Sequence, residues 1–419
     1  MSRKPLIAVV SFPGNNCEVE SIRCLKEAGM DAIYVRWNDD HAKLADVDGY
    51  FIPGGFSYED RGRSGMVAGR DPLLEFIGRE AEAGKTVIGN CNGAQILVES
   101  GLIPLGRELS MSLAHNVVEA GGRTIAPGFL SEWVWMTPAC KRDRCATSDW
   151  EGAMHVPIAH GEGRFTTKDK DLLEELKRND QIAFRYCTQD GTPSEDTNVT
   201  PNGSTFAIAG ICNPAGNVIA LMPHPERTDA GLPYFVSMRK WIEAGRGKKT
   251  SPRKTNAVAT GDLPVHSTDL TELFIDSLIT NNEERTVEGA LRRVSDGIRL
   301  KQWKYLAIPE TQVMNALQDL TIFNANKERA IVRRNGALTR WNSATKREEA
   351  FDGNVAADTF AGTLILRRDE PDTGAASFGE GAQTGVCYGI AGASAKDLQS
   401  RNLREILGNP HASTLEILP

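Results

Sequence analysis

The stretch "KTVIGNCNGAQILVES", Lys85–Ser100, decides the fold reading. Val87 and Ile88 make a short apolar run of the kind a buried strand shows, and Ala94, Ile96, Leu97 and Val98 suit the inner face of a helix. Between them Gly89-Asn90-Cys91-Asn92-Gly93 places one thiol on the corner. A Gly-x-Cys-x-Gly turn between strand and helix is the cysteine form of a nucleophile elbow: the glycines permit a strained turn that projects the side chain into a cleft. A cysteine at a helix start also meets backbone N–H groups and the positive end of the helix dipole, which favour thiolate.

Outward from this corner the same alternation repeats. Apolar runs Leu6–Val10, Ala32–Val35 and Tyr50–Ile52 are separated by helix-like patterns at Cys17–Ala28 and Pro72–Ala83. Such alternation predicts an α/β fold, a mainly parallel sheet flanked by helices, over residues 1–245. "GRGKKTSPRKTNAVATGDLPVHST", residues 245–268, reads as a basic Pro/Gly/Thr-rich linker over 246–268. Its "GKKTS" is no phosphate-binding loop, because Ile242 stands where the first glycine belongs. A smaller α+β domain is expected over 269–419. Its strands are read at Leu273–Ile279, Lys301–Ile308, Arg329–Arg334, Thr363–Leu366, Val386–Ile390 and Leu415–Leu418; its helices at Thr286–Val294, Gln312–Leu320 and Lys396–Leu407. Residues 335–362 are poorly patterned, "GAASFGEGAQTG" (374–385) reads as a flexible or tightly turning loop, and the second half of this domain can echo the first.

Composition narrows the function. With 40% hydrophobic and 25% charged residues the 419-residue chain reads as an ordinary globular protein, and a net charge of -7 supplies no basic excess for a nucleic-acid partner. The N-terminal "MSRKPLIAVVSFPGNN" reads as a first strand rather than a signal peptide, and no run approaches the ~18 apolar residues of a membrane span. A cytoplasmic location without membrane partners is expected. The eight cysteines then read as reduced thiols. Cys140 and Cys145 in "PACKRDRCATSD" lack a second ligand pair and read as loop thiols, so no metal site is expected. Cys17, Cys24, Cys187, Cys212 and Cys387 read as packing residues.

A nucleophilic thiol needs a base and an orienter. "GNVIALMPHPER" ends a strand-like run, Val218–Met222, in Pro223-His224-Pro225-Glu226, where i, i+2 spacing in a proline-stiffened segment puts His224 and Glu226 on one side. Acyl transfer also needs oxyanion donors. "YFIPGGFSYED" supplies Gly54, Gly55 and Phe56, and the N–H of Gly55 or Phe56 could pair with that of Asn92.

These segments, "VVSFPGNNCE", "PGGFSYED", "GNCNGAQILVESGLIP", "IAHGEGRF" and "IAGICNPAGNVIALMPHPER", resemble the glutaminase subunits of phosphoribosylformylglycinamidine synthase, class I glutamine amidotransferases, over residues about 5–240. The resemblance implies a triad of Cys91, His224 and Glu226, with Gln95 and His160 also placed near the substrate. It implies that glutamine is hydrolysed and its ammonia delivered to a separate synthetase subunit, which makes formylglycinamidine ribonucleotide in purine biosynthesis. No cofactor is implied in this chain; ATP and magnesium are expected on the synthetase. Glu132 in "SEWVWM" departs from the family's usual arginine, and "HNVVEAGGRTIAPGF" (115–129) has no counterpart. "ERTVEGALRRV" and "LKQWKYLAI" resemble the small third subunit of the same synthase, which implies a docking role for 269–419. Two other readings compete. One is a cysteine-dependent stress hydrolase or chaperone on the same fold, which would carry a histidine beside the cysteine where Asn92 stands; the other is a non-catalytic binding module.

Overall fold

The computed structural model describes residues 3–44, 46–106, 108–247, 261–351 and 362–419. The chain divides into two compact units, 1–257 and 258–419.

In chain order the first unit contains β1 (Leu6–Ser11), α1 (Glu18–Glu27), β2 (Asp31–Arg36), β3 (Gly49–Ile52), α2 (Pro72–Glu82), β4 (Thr86–Asn90) and α3 (Asn92–Glu99). There follow β5 (Ser112–His115), β6 (Val118–Ala120), β7 (Arg123–Ile125), β8 (Leu130–Pro138), β9 (Met154–His160), β10 (Glu162–Thr166) and α4 (Lys170–Arg178). It ends with β11 (Ile182–Cys187), β12 (Ile208–Cys212), β13 (Val218–Leu221) and α5 (Leu232–Glu243).

Nine of these strands form one mixed sheet in the order β2-β1-β3-β4-β13-β12-β11-β8-β9. The first five pair in parallel; the rest continue antiparallel. Residues along the parallel strands alternate between two cores. Ala8, Val10, Tyr50, Ile52, Val87 and Ala220 meet Leu73 and Ile77 of α2 and Ile96 and Leu97 of α3. Ile7, Val9, Phe51, Ile88 and Ile219 meet Cys24 and Leu25 of α1 and Tyr234, Phe235 and Met238 of α5. Burial on both faces is why these strands read as continuous apolar runs. Because β3, β4 and β13 are neighbours, the loops after Ile52, Asn90 and Leu221 leave the sheet side by side at the strands' carboxyl ends, where open α/β sheets place their sites.

The second unit holds β14 (Thr271–Ser277), α6 (Asn282–Arg292), β15 (Arg299–Ile308), α7 (Glu310–Gln318), β16 (Glu328–Arg334), β17 (Ala337–Asn342) and β18 (Arg347–Ala350). After these come β19 (Thr363–Asp369), β20 (Gln383–Ala391), α8 (Ala395–Gln399), α9 (Arg401–Leu407) and β21 (Ser413–Leu418). They build an antiparallel sheet ordered β18-β17-β16-β14-β15-β20-β19-β21. Its two halves share a topology: β16-β14-β15 and β21-β19-β20 each have the first strand central, and the halves meet through the β15–β20 pairing, Arg299–Ala307 against Gln383–Ala391. The expected echo is thus a pseudo-twofold arrangement, in which the loop holding "GAASFGEGAQTG" replaces the helix that follows the first strand in the other half.

Three details differ from the sequence reading. The helix expected over Lys396–Leu407 is two helices, because Ser400 takes extended backbone (φ -63°, ψ 129°) between α8 and α9. The poorly patterned stretch contains the β17–β18 hairpin, while 352–361 lie outside the described residues. Of the expected linker, 248–260 also lie outside them; 261–268, however, pack on the second unit, with Val265 bridging Ile417 and His266 buried against Glu416 and Tyr305.

Candidate active site

Cys91 connects β4 to α3 with φ 50° and ψ -108°, a left-handed conformation that costs a non-glycine residue on the order of 1–3 kcal/mol. Both flanking glycines are needed for close packing rather than for flexibility. A Cβ on Gly93 would lie 2.0 Å from the Ile52 carbonyl oxygen, and one on Gly89 would lie 2.4 Å from the Gly93 oxygen. The corner is therefore pressed between β3 and its own helix. Cys91 is 3% exposed, with Sγ 3.6 Å from the Ala159 oxygen at the end of β9.

Pro223 and Pro225 bracket His224, whose N–H donates to the Pro157 oxygen at 2.9 Å. His224 Nδ1 is 2.6 Å from Glu226 Oε1, both residues being buried. The other carboxylate oxygen accepts from Asn90 Nδ2 at 2.9 Å, and Asn90 Oδ1 accepts from the Tyr234 hydroxyl at 3.0 Å. A continuous chain thus runs from α5 through the residue before Cys91 to the imidazole. Burial alone would depress the His224 pKa, but the negative charge of Cys91 and Glu226 and hydrogen bonds to Cys17 and Cys91 outweigh it and hold His224 well above its ordinary value. Burial raises the Glu226 pKa; the His224 charge and the bonds from His224 and Asn90 more than reverse this, leaving it below its ordinary value. Among the described residues His224 Nε2 makes no close hydrogen bond.

The remaining expected residues surround this set. Gly54 abuts the imidazole, since a Cβ there would sit 2.7 Å from His224 Cε1. Gly55, at φ 137°, crosses Asn15 so closely that a Cβ would meet its Cα at 2.5 Å. The Phe56 N–H donates to the Gly14 oxygen at 2.8 Å, so of the two expected partners for Asn92 it is Gly55 whose N–H remains as a candidate. The Asn92 side chain accepts from Ser57 N and donates to Gln95 Oε1, and Gln95 Nε2 donates to the Glu162 oxygen at 2.5 Å. These two side chains join the elbow to the loop after β3 and to the start of β10. His160 is buried over Gly163, where a Cβ would lie 2.1 Å from its Cε1. Burial, reinforced by the His224 charge, lowers its pKa to about 3, and among the described residues neither ring nitrogen has a hydrogen-bond partner. It is a neutral imidazole.

Several residues that bear on this site escaped sequence reading. Asn90 was legible only as part of the turn, and Tyr234 not at all. Asn116, in the segment without counterpart, donates to the His160 oxygen and accepts from Gly163 N, fixing the "HGEG" turn. Asp60 ends three consecutive left-handed residues, Tyr58–Asp60, and accepts from Asn92 Nδ2 at 3.3 Å. Burial, with the Glu162 charge behind it, raises its pKa to about 7. The reading of Cys17 as a packing residue needs correction: its Sγ is 4.0 Å from His224 Nδ1 and accepts from Arg227 Nη2 at 3.0 Å. Cys140 and Cys145 lie, as expected, in the loop between β8 and β9, with Cys145 buried in the core beside Cys212 and Cys140 packed against the same core.

Residues 4–250 match the CobB/CobQ-like glutamine amidotransferase domain. The chain is 41% identical over 259 residues to the phosphoribosylformylglycinamidine synthase subunit PurQ of Methanothrix thermoacetophila, covering 57% of this chain and 99% of that protein. It is 37% identical over 243 residues to PurQ of Thermus thermophilus, covering 56% and 98%. Among solved structures it is similar to a chain of PurLQS from Thermotoga maritima, with 31% identity, a TM-score of 0.44, and 57% and 99% coverage.

Proposed function

The chain belongs to the CobB/CobQ-like glutamine amidotransferase family, and on that premise we propose that it is the glutaminase component of a phosphoribosylformylglycinamidine synthase. It hydrolyses glutamine to glutamate and ammonia and passes the ammonia to a synthetase subunit that converts formylglycinamide ribonucleotide to the amidine. The names of the curated relatives support the pathway. The observation that carries the chemistry is the elbow thiol of Cys91 beside an imidazole that Glu226 holds at 2.6 Å.

In this reading the Cys91 thiolate attacks the carboxamide carbon, and the N–H groups of Gly55 and Asn92 receive the developing oxyanion. His224, kept protonated by the charges around it, gives its proton to the departing ammonia and afterwards takes one from the water that hydrolyses the thioester. Glu226, itself held by Asn90, fixes the tautomer and stabilises the imidazolium. Neutral His160 packs beside the imidazole, and the Gln95–Asn92 pair braces the elbow. No cofactor enters these steps; ATP and magnesium belong to the synthetase. Free ammonia would protonate and escape in water, so transfer requires a protected contact, and the exposed Phe56, its ring tilted against that of exposed Phe129 at 6.1 Å, offers an apolar rim for one. The duplicated second unit is assigned to holding the synthetase, in line with its third-subunit resemblance.

The test is glutamine hydrolysis by the purified chain with and without a candidate synthetase. Glutamate release stimulated by the synthetase supports the reading; no hydrolysis in either case overturns it.

A further inference from the structure

Cys17 lies in the loop after β1, among groups suited to hold an ion. Its sulfur, a nitrogen of His224 and an oxygen of Glu226 converge within 4.8 Å of one another, and all three residues are buried. The sulfur and His224 Nδ1 are 4.0 Å apart, and Nδ1 and Glu226 Oε1 2.6 Å. Gly54 keeps ring and thiol face to face, since a Cβ there would be 2.7 Å from His224 Cε1 and 3.1 Å from Cys17 Sγ. One thiolate, one imidazole and one carboxylate form the donor set of a zinc-class cation. Tetrahedral coordination at ordinary bond lengths needs about 3.6 Å between sulfur and nitrogen and about 3.4 Å between nitrogen and oxygen. The sulfur must close in by about 0.4 Å and the carboxylate withdraw by about 0.8 Å, both within side-chain adjustment. The Arg227 guanidinium lies 3.0 Å from the sulfur, and the two anionic ligands offset the charge of the incoming cation.

We propose that Cys17, His224 and Glu226 bind a thiophilic divalent cation of the zinc class and that occupancy turns the glutaminase off. The metal replaces the Cys17 thiol proton and the Nδ1 proton of the imidazolium. Two protons leave to solvent, no electrons move, and the ring keeps its Nε2 hydrogen. That nitrogen then has no lone pair with which to accept a proton, and Glu226 no longer orients the ring. Binding does not depend on the glutaminase reading; only the inhibition rests on it.

The test uses the full chain carrying Cys91→Ala, which removes the competing nucleophile, titrated with Co2+. A near-ultraviolet thiolate-to-cobalt absorption saturating at one equivalent is expected, displaced by Zn2+ and abolished when Cys17→Ser or Cys17→Ala is added. Two variants guard against misfolding of either, judged by circular dichroism. Persistence of the band without Cys17 would assign it to other thiols and overturn the proposal, as would absence of the band. With Cys91 intact, Zn2+ should inhibit reversibly on chelation, and each Cys17 variant, normalised to its own metal-free rate, should require at least about tenfold more Zn2+. Equal sensitivity overturns the inhibitory role, and the cobalt spectrum decides binding even if the chain hydrolyses no glutamine.

Discussion

Gly93→Ala is the perturbation that most directly probes how the elbow is built. The new Cβ would stand 2.0 Å from the Ile52 oxygen, whereas real Cβ contacts essentially never fall below 3.0 Å, so the start of α3 must retreat from β3 by about 1 Å. The added strain costs about 1–3 kcal/mol, against which alanine's helix preference over glycine returns about 1 kcal/mol. The net loss of stability is therefore small, ~0–2 kcal/mol. Catalysis should suffer far more, because the retreat carries Cys91 and the Asn92 N–H away from His224 and Gly55, and a displacement of about 1 Å costs roughly 100-fold in rate. The assay is kcat/KM for glutamine, with synthetase present where turnover needs it, beside a thermal melt of the same preparation. Gly289→Ala in α6, which would meet nothing within 4 Å, is the control: unchanged activity and a gain of about 0.5–1 kcal/mol. A Gly93→Ala protein within a few-fold of the parent rate would show that packing at Ile52 does not set the position of Cys91.

Glu226→Gln should lower kcat by roughly 10²–10⁴-fold, and it should also change the pH dependence of stability. His224, raised from 6.5, contributes stability fully present below that value and lost as pH rises through its folded pKa. Glu226, lowered from 4.5, contributes stability present above that value and lost as pH falls through its folded pKa. The melting-temperature gap between parent and variant should thus be widest between about pH 4.5 and 6.5 and narrow on both sides; a gap independent of pH would contradict the ion pair. Asp60→Asn tests the neighbouring carboxyl. Because its pKa is raised from 3.8 to about 7, the parent loses stability as pH climbs through that interval. The variant should be more stable by up to about 4 kcal/mol at pH 8 and equal at low pH, read by melts at both; a variant no more stable at pH 8 rules the burial argument out.

What was legible follows from where burial is symmetric. β1, β3, β4 and β13 are covered on both faces, so their apolar runs stand out, and the elbow and the Pro-His-Pro-Glu turn advertise themselves by unusual residue types at fixed spacing. β8, "LSEWVWMTP", was not legible, because Ser131, Glu132 and Trp133 near its start are all exposed and the residue pattern is broken. The β17–β18 hairpin is rich in arginine and glutamate and gives no periodic signal. At the site, sequence could not say that the Phe56 N–H is taken by Gly14. Nor could it bring Tyr234 to Asn90 across 144 positions, or turn Cys17 toward His224 across 207. Those contacts are made by the packing of α5 and the loop after β1, which local pattern does not encode.

The proposed mechanism requires Cys91 to carry the acyl group. A glutamine analogue bearing an electrophile in place of the carboxamide, incubated with the native chain and followed by peptide mapping, tests it most directly. Modification of Cys91 alone among the eight cysteines is expected, with protection by glutamine and loss of hydrolysis in Cys91→Ala with the fold intact. Labelling at Cys17 or another thiol with Cys91 untouched, or hydrolysis surviving in Cys91→Ala, would contradict it.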